Sequence, residues 1–199
     1  MRPLIVPVIL LSLTGLCQAQ QTRPNLYVCE GCEAIYEHSF ENLSWETTIP
    51  DDTEPGEPTI ISGIIYQTDG STPAEGVILY VYHTNAEGVY PKRGDEKKWA
   101  RRHGYLRGWM KTDADGRYRF TTIRPATYPS NTEPAHIHII LKEPKRQEYW
   151  IDAYHFKGDP LLTQEQTFNR QQRGGSGIIP LVLNEKGVWI GVRNIVLEY

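Results

Sequence analysis

The sequence predicts an all-β fold: a single-domain antiparallel β-sandwich with long connecting loops. Three observations predict it. From Thr59 onward, short segments alternate between apolar and polar residues; turn signals separate them; and no stretch carries a long 3.6-residue period. Antiparallel sheets with one buried face have this two-residue rhythm.

The strands follow in order. Thr59–Gln67 is rich in Ile. Val77–Thr84 sets Val77, Leu79, Val81 and His83 on one face and Ile78, Tyr80 and Tyr82 on the other. Arg117–Ile123 sets Arg117, Arg119 and Thr121 against Tyr118, Phe120 and Thr122. Ala135–Lys142, Tyr149–Phe156, Ile178–Leu183 and Val188–Glu198 complete the set. Thr68-Asp69-Gly70, Asp113-Ala114-Asp115-Gly116 and Asn184-Glu185-Lys186-Gly187 are turns. The charged run Asp95–Arg102 reads as a loop or one short helix, and Arg101-Arg102-His103 as a solvated loop. Tyr80, Tyr118 and His83 read as core residues.

A chain of 199 residues is long enough for one domain with a sizeable core. A net charge of −3 gives no basic footprint for nucleic acid. Residues 1–19 read as a secretory signal peptide: a basic start, an apolar run Leu4–Leu16, then small residues near Ala19. That run is too short for a membrane span. The protein is therefore expected to be secreted or periplasmic. Lipid anchoring at Cys17 is the lesser alternative, because Leu16 stands where a small residue is expected. Residues 20–57 read as an irregular segment carrying Cys29-x-x-Cys32, and 58–199 as the sandwich. In an oxidising compartment the two cysteines suit a local disulfide. Tyr36, Phe40 and Trp45 read as packing against the sandwich, with a pocket lid as the alternative. The sequence leaves the oligomeric state open.

Pro134-Ala135-His136-Ile137-His138 is the sharpest local feature. In a strand, His136 and His138 project from one face, about 7 Å apart at the backbone. That suits two ligands of one metal ion, or else two ordinary polar residues on an exposed face. Tyr90 and Tyr128 leave strands and enter loops, where sites tend to be built.

Four segments together resemble the intradiol ring-cleavage dioxygenases: His83–Tyr90, Asp115–Pro125, Tyr128-Pro129 and Pro134–His138, in the family's order and spacing. Phe156-Lys157-Gly158-Asp159-Pro160 is similar to a further family segment. The resemblance covers roughly residues 58–199. It implies non-haem Fe(III) held by Tyr90, Tyr128, His136 and His138. It also implies a small catecholic substrate cleaved by dioxygen to a cis,cis-muconate-type diacid. Tyr128 matches the family's displaceable axial tyrosine, with His138 opposite it and Tyr90 and His136 equatorial. Phenolates are hard anionic donors that suit a ferric ion, and a bound cation makes them accessible at neutral pH.

One departure bears on catalysis. The family usually has Arg before Pro-Ala-His, and this chain has Glu133. The arginine's inferred role is to stabilise charge on the substrate ring, which Glu133 would oppose. Arg124, Arg107 and Lys111 are candidate substitutes. Ser130 stands where some members place a bulky aromatic, which implies a more open pocket. Two other readings remain: a non-catalytic iron- or catechol-binding relative, and a β-module whose His-x-His holds zinc or copper. The last leaves Tyr90 and Tyr128 without a purpose.

Overall fold

The computed structural model describes residues 25–50, 54–164, 167 and 172–198. The expected signal peptide (1–19) and Cys17 lie outside the described residues. No helix among them is long and apolar enough to cross a membrane.

Among the described residues, twelve strands form two six-stranded sheets. The first sheet runs β1 (Glu46–Thr48), β5 (Arg117–Ile123), β2 (Pro58–Tyr66), β11 (Trp189–Val192), β10 (Leu181–Leu183), with β12 (Ile195–Val196) also on β2. The second runs β4 (Arg107–Lys111), β3 (Ile78–His83), β6 (His136–Lys142), β8 (Tyr154–Phe156), β9 (Ile178–Ile179), with β7 (Glu148–Trp150) also on β6. The sandwich is as expected, but its pairing is mixed. β1–β5, β2–β11, β2–β12 and β8–β9 are parallel, and the other pairs antiparallel.

Three expected strands are interrupted, each for a local reason. Val188–Glu198 breaks at Arg193-Asn194. The Arg193 carbonyl leans onto Gly63, where a Cβ would lie 1.8 Å from it, so only glycine fits. Asn194 fills the gap by accepting the Ile64 N–H through its side chain at 3.1 Å. Ile178–Leu183 breaks at Pro180, which has no N–H to continue a ladder, and the chain passes there from the second sheet to the first. Tyr149–Phe156 breaks where the Asp152 N–H turns to the Arg173 carbonyl at 3.2 Å. β1, β4 and a 3-10 helix at Cys32–Glu37 were not read from the sequence. The charged run resolves as a loop leading into a one-turn helix, α1 (Ala100–His103).

The main core lies between the sheets, where Leu79, Val81, Ile137, Ile139, Tyr118 and Phe120 are buried. A second cluster covers the outer face of the second sheet: Tyr80, Ile78 and Ile140 against Ala34, Ile35 and Cys32, with Trp99, Trp109 and Trp150 packed around them. β3 is therefore covered on both faces. Cys29 and Cys32 are joined by a disulfide. The Trp109 indole donates to the Ile35 carbonyl at 3.0 Å, and the Trp150 indole to the Val28 carbonyl at 3.2 Å. These bonds fasten the segment over the sheet. Phe40 packs into this cluster, whereas Tyr36 is exposed.

His83 is fully buried, as expected of a core residue. Its Nδ1–H donates to the Thr84 carbonyl and its Nε2 accepts from the Thr122 hydroxyl, both at 2.7 Å. Burial holds its pKa at about 4, against 6.5 for a free imidazole. The unfolded chain takes up this proton near pH 6.5 and the folded chain only near 4. The stabilisation is thus complete above about pH 6.5 and is lost as pH falls towards 4, up to about 3 kcal/mol. His83→Gln is less stable than wild type at pH 7, and the gap narrows at pH 4.5. Urea midpoints at the two pH values check this.

Candidate metal centre

Tyr82 pairs with His138 across β3 and β6, and Tyr80 with Ile140. The register turns His136 and His138 to the outer face of the second sheet, away from the inter-sheet core. Two loops bring the tyrosines to them. Asn85 knits the first: its side-chain oxygen accepts the N–H groups of Glu87 and Val89, each at 3.1 Å. Its carbonyl accepts the Ala126 N–H of the second loop at 3.1 Å, and the Thr84 hydroxyl donates to the Ala126 carbonyl at 2.7 Å. Gly88 has φ +76°, and a Cβ there would sit 1.9 Å from the Thr127 carbonyl oxygen. The two loops touch at a place where no side chain fits.

The four expected ligands converge. Tyr90 Oη lies 2.7 Å from Tyr128 Oη, and Tyr128 Oη lies 3.2 Å from His136 Nε2. His136 Nε2 lies 3.0 Å from His138 Nε2, which closes the ring at 3.0 Å from Tyr90 Oη. Two donors at right angles, each about 2.1 Å from one ion, stand about 3.0 Å apart. The ring has the dimensions of a coordination shell.

Proton counting points the same way. His136 Nδ1 lies 2.7 Å from the Pro134 carbonyl, so that nitrogen carries the hydrogen and Nε2 presents a bare lone pair. With neutral imidazoles, the ring has four close contacts but at most three hydrogens to fill them: two phenolic and one on His138. A cation at the centre would satisfy every lone pair at once. Burial, and then the hydrogen bond with Tyr128, push the Tyr90 phenol well above its ordinary pKa. Burial, and then the neighbouring imidazoles, hold His138 well below 6.5. A neutral His138 imidazole suits a metal, and only a bound cation brings the Tyr90 phenolate into range. No group of three or more His, Cys, Asp or Glu side chains converges on a metal position among the described residues.

The sequence model of the family described as Dioxygenase matches residues 33–174. The chain belongs to the intradiol dioxygenase family. It is 32% identical over 119 residues to the protocatechuate 3,4-dioxygenase beta chain of Burkholderia cepacia, covering 57% of this chain and 50% of that one. It is 26% identical over 150 residues to catechol 1,2-dioxygenase 1 of Acinetobacter lwoffii, covering 67% and 46%. The chain thus spans about half the length of these relatives. Its fold is similar to the dioxygenase domain of a dioxygenase–carbohydrate-binding fusion from Streptomyces sp. SirexAA-E. The TM-score there is 0.60 at 23% identity, over 76% of this chain and 86% of that one.

Several neighbours of the centre were not read from the sequence. Tyr82 stacks on His138 at 4.4 Å and 12°, and on its other side His103 stacks on Tyr82 at 3.8 Å and 8°. His103 is buried and bonded to the Tyr80 hydroxyl at 2.8 Å, so the reading of Arg101-Arg102-His103 as solvated holds only for the arginines. His155 stacks on His136 at 5.6 Å and 19°.

Asp159 fixes the approach to His136: its carboxylate accepts the Ala135 N–H at 3.0 Å and the Leu161 N–H at 2.9 Å. Its place in the Phe156–Pro160 motif was the available signal. Charged hydrogen bonds of this kind are worth about 1.5–3 kcal/mol each. Asp159→Ala lowers stability by about that amount and loosens metal retention. Denaturant midpoints and dialysis against a chelator measure the two effects.

Glu133 is exposed, and its carbonyl accepts a hydrogen bond from the Thr127 hydroxyl. The cations considered as substitutes each have another partner. Arg107 pairs with Glu37 at 2.6 Å, Arg124 with Glu57 at 3.3 Å, and the Lys111 ammonium donates to the Phe40 carbonyl at 3.3 Å.

Proposed function

We propose that this protein is an iron(III)-dependent intradiol dioxygenase that cleaves a catechol-type aromatic to a cis,cis-muconate-type diacid. The closed ring of Tyr90, Tyr128, His136 and His138 donor atoms carries this reading. The family's curated relatives, named as protocatechuate and catechol dioxygenases, support the substrate class. Tyr90, Tyr128, His136 and His138 would hold ferric iron, which would act as a Lewis acid toward a catecholate chelating it and so activate the ring toward dioxygen.

The chain's own residues have separable tasks in this reading. The Pro134 carbonyl holds His136 in the tautomer that offers Nε2. Tyr82 backs His138 and keeps water from that side. Tyr128 stands on a loop and touches both Tyr90 and His136, so its Oη can yield its place to a substrate oxygen and take up a catechol proton. The exposure of Glu133 limits the damage its charge does at the ring, because solvent screens it.

A second reading is a non-catalytic iron- or catechol-binding relative. It is favoured by Glu133 and by the engagement of Arg107, Arg124 and Lys111 elsewhere. The apolar run Leu4–Leu16 and the Cys29–Cys32 disulfide support an exported protein in either case.

Iron loading gives a red protein through tyrosinate-to-ferric charge transfer, and Tyr90→Phe weakens that visible absorption. With a catechol the iron-loaded protein consumes one dioxygen per substrate, and the product mass equals substrate plus O2. A red protein whose spectrum shifts with catechol but which consumes no oxygen supports the second reading; a colourless one overturns the dioxygenase reading, and one that also fails to bind catechol overturns both. Glu133→Arg raises kcat by at most about tenfold, below the roughly 10²–10³ of a desolvated electrostatic partner, because solvent screens this exposed position.

A further inference from the structure

Three hollows share wall residues in succession, the first bounded by His138 and the second by Tyr90 of the ring of donors. The first, of about 470 Å³, is walled by His138, Tyr82, Trp150 and Glu30. The second, of about 320 Å³, shares Tyr82 and Glu30 with it and adds Tyr90, His103, Trp99 and Arg102. The third, of about 460 Å³, shares Trp99 and Arg102 and continues to Tyr36, Glu33 and Lys98. Clefts of roughly 300–1,000 Å³ hold ligands of several rings. A single catechol ring fills only the inner part of this trough.

The trough is aromatic along its length. His138, Tyr82 and His103 stack face to face, and Trp99 follows His103 at 5.4 Å and 28°. Trp99 is anchored through its backbone N–H, which donates to the Glu37 carboxylate at 2.9 Å. One face of its indole meets the Arg102 guanidinium at 5.7 Å. Arg102 also pairs with Glu30 across the trough, and both side chains are exposed, at 64% and 77%. An exposed pair of this kind holds weakly and parts readily. Glu33, Lys98 and Arg102 put both signs of charge on the rim, which fits a neutral, hydroxylated ligand better than an anionic one.

We propose that the trough is an outer subsite for an aryl-extended catechol: the catechol ring at the ring of donors, and a second hydroxylated ring, joined by a short linker, on Trp99. This rests on the proposed iron centre for turnover, but not for binding. Trp99 is then the specificity-determining residue, with Arg102 donating to hydroxyls of the second ring.

The test compares catechol with catechin, a neutral two-ring catechol, by oxygen uptake on the iron-loaded protein. Wild type shows a kcat/KM for catechin at least tenfold above that for catechol. Trp99→Ala lowers that ratio by about tenfold, the scale of one lost aromatic stack with its buried area. Arg102→Gln, at an exposed position, lowers it by about threefold without risk to folding. Calorimetry with catechin methylated on both catechol oxygens, which cannot chelate iron, gives saturable binding below about 1 mM that Trp99→Ala weakens about tenfold. An unchanged ratio, or an analogue that does not bind wild type, overturns the subsite. If neither substrate is consumed yet the analogue binds through Trp99, the subsite stands and the iron-dioxygenase reading fails.

Discussion

The site depends on one close approach of backbone to backbone. The loop after β3 and the loop after β5 meet at Gly88 and Thr127, with no room for a Cβ between them. Because Tyr90 and Tyr128 sit two and one residues beyond that contact, they arrive at the same place from different directions. The sheet supplies the other half. β6 is held between β3 and β8, so its two histidines cannot turn from the outer face without undoing ladders on both sides. Two rigid donors from a strand and two from clamped loops make a shell that exists before any ligand arrives.

Such a shell carries an electrostatic cost in the absence of a cation. The ring has fewer hydrogens than close contacts, the Tyr90 phenol is driven to its protonated form, and the His138 imidazole to its neutral form. The hydrogen shortfall and the neutral His138 favour a cation that accepts lone pairs, whereas the Tyr90 proton has to leave before that oxygen can serve one. The same folding that disfavours protonation of His138 removes the competitor for its lone pair. The preference for a hard, highly charged ion comes from the two phenols, since imidazoles alone suit many metals.

Much of this was legible in the residues. The four donors were readable because His136 and His138 share a strand face and because Tyr90 and Tyr128 sit in segments with family spacing. Sheet order was not. β4 hides between a run of charges and a turn, and Pro180 and Asn194 cut long apolar runs that read as single strands. Cross-strand partners leave no local mark. Tyr82 becomes a neighbour of His138 only through the register of β3 on β6, forty and more residues apart in sequence. His103 was misread because its flanking arginines are solvated, whereas its own side chain turns inward to Tyr80.

The outer face of the second sheet also explains the N-terminal segment. A sheet that carries Tyr80, Tyr82, Ile140 and the His136–His138 pair on its outward face cannot leave that face to water. The segment from Val28 to Glu37 covers it, fastened by indole bonds to Ile35 and Val28 and by the Glu37–Arg107 pair, whose side chains are only 9% and 17% exposed. Glu37 does more than anchor this cover. Its other oxygen holds the Trp99 backbone, so one carboxylate fixes both the cover and the start of α1. The cover therefore ends where the trough opens, and its edge residue Glu30 faces Arg102. A segment needed to keep the sheet dry thereby also sets the width of the approach to the ring of donors.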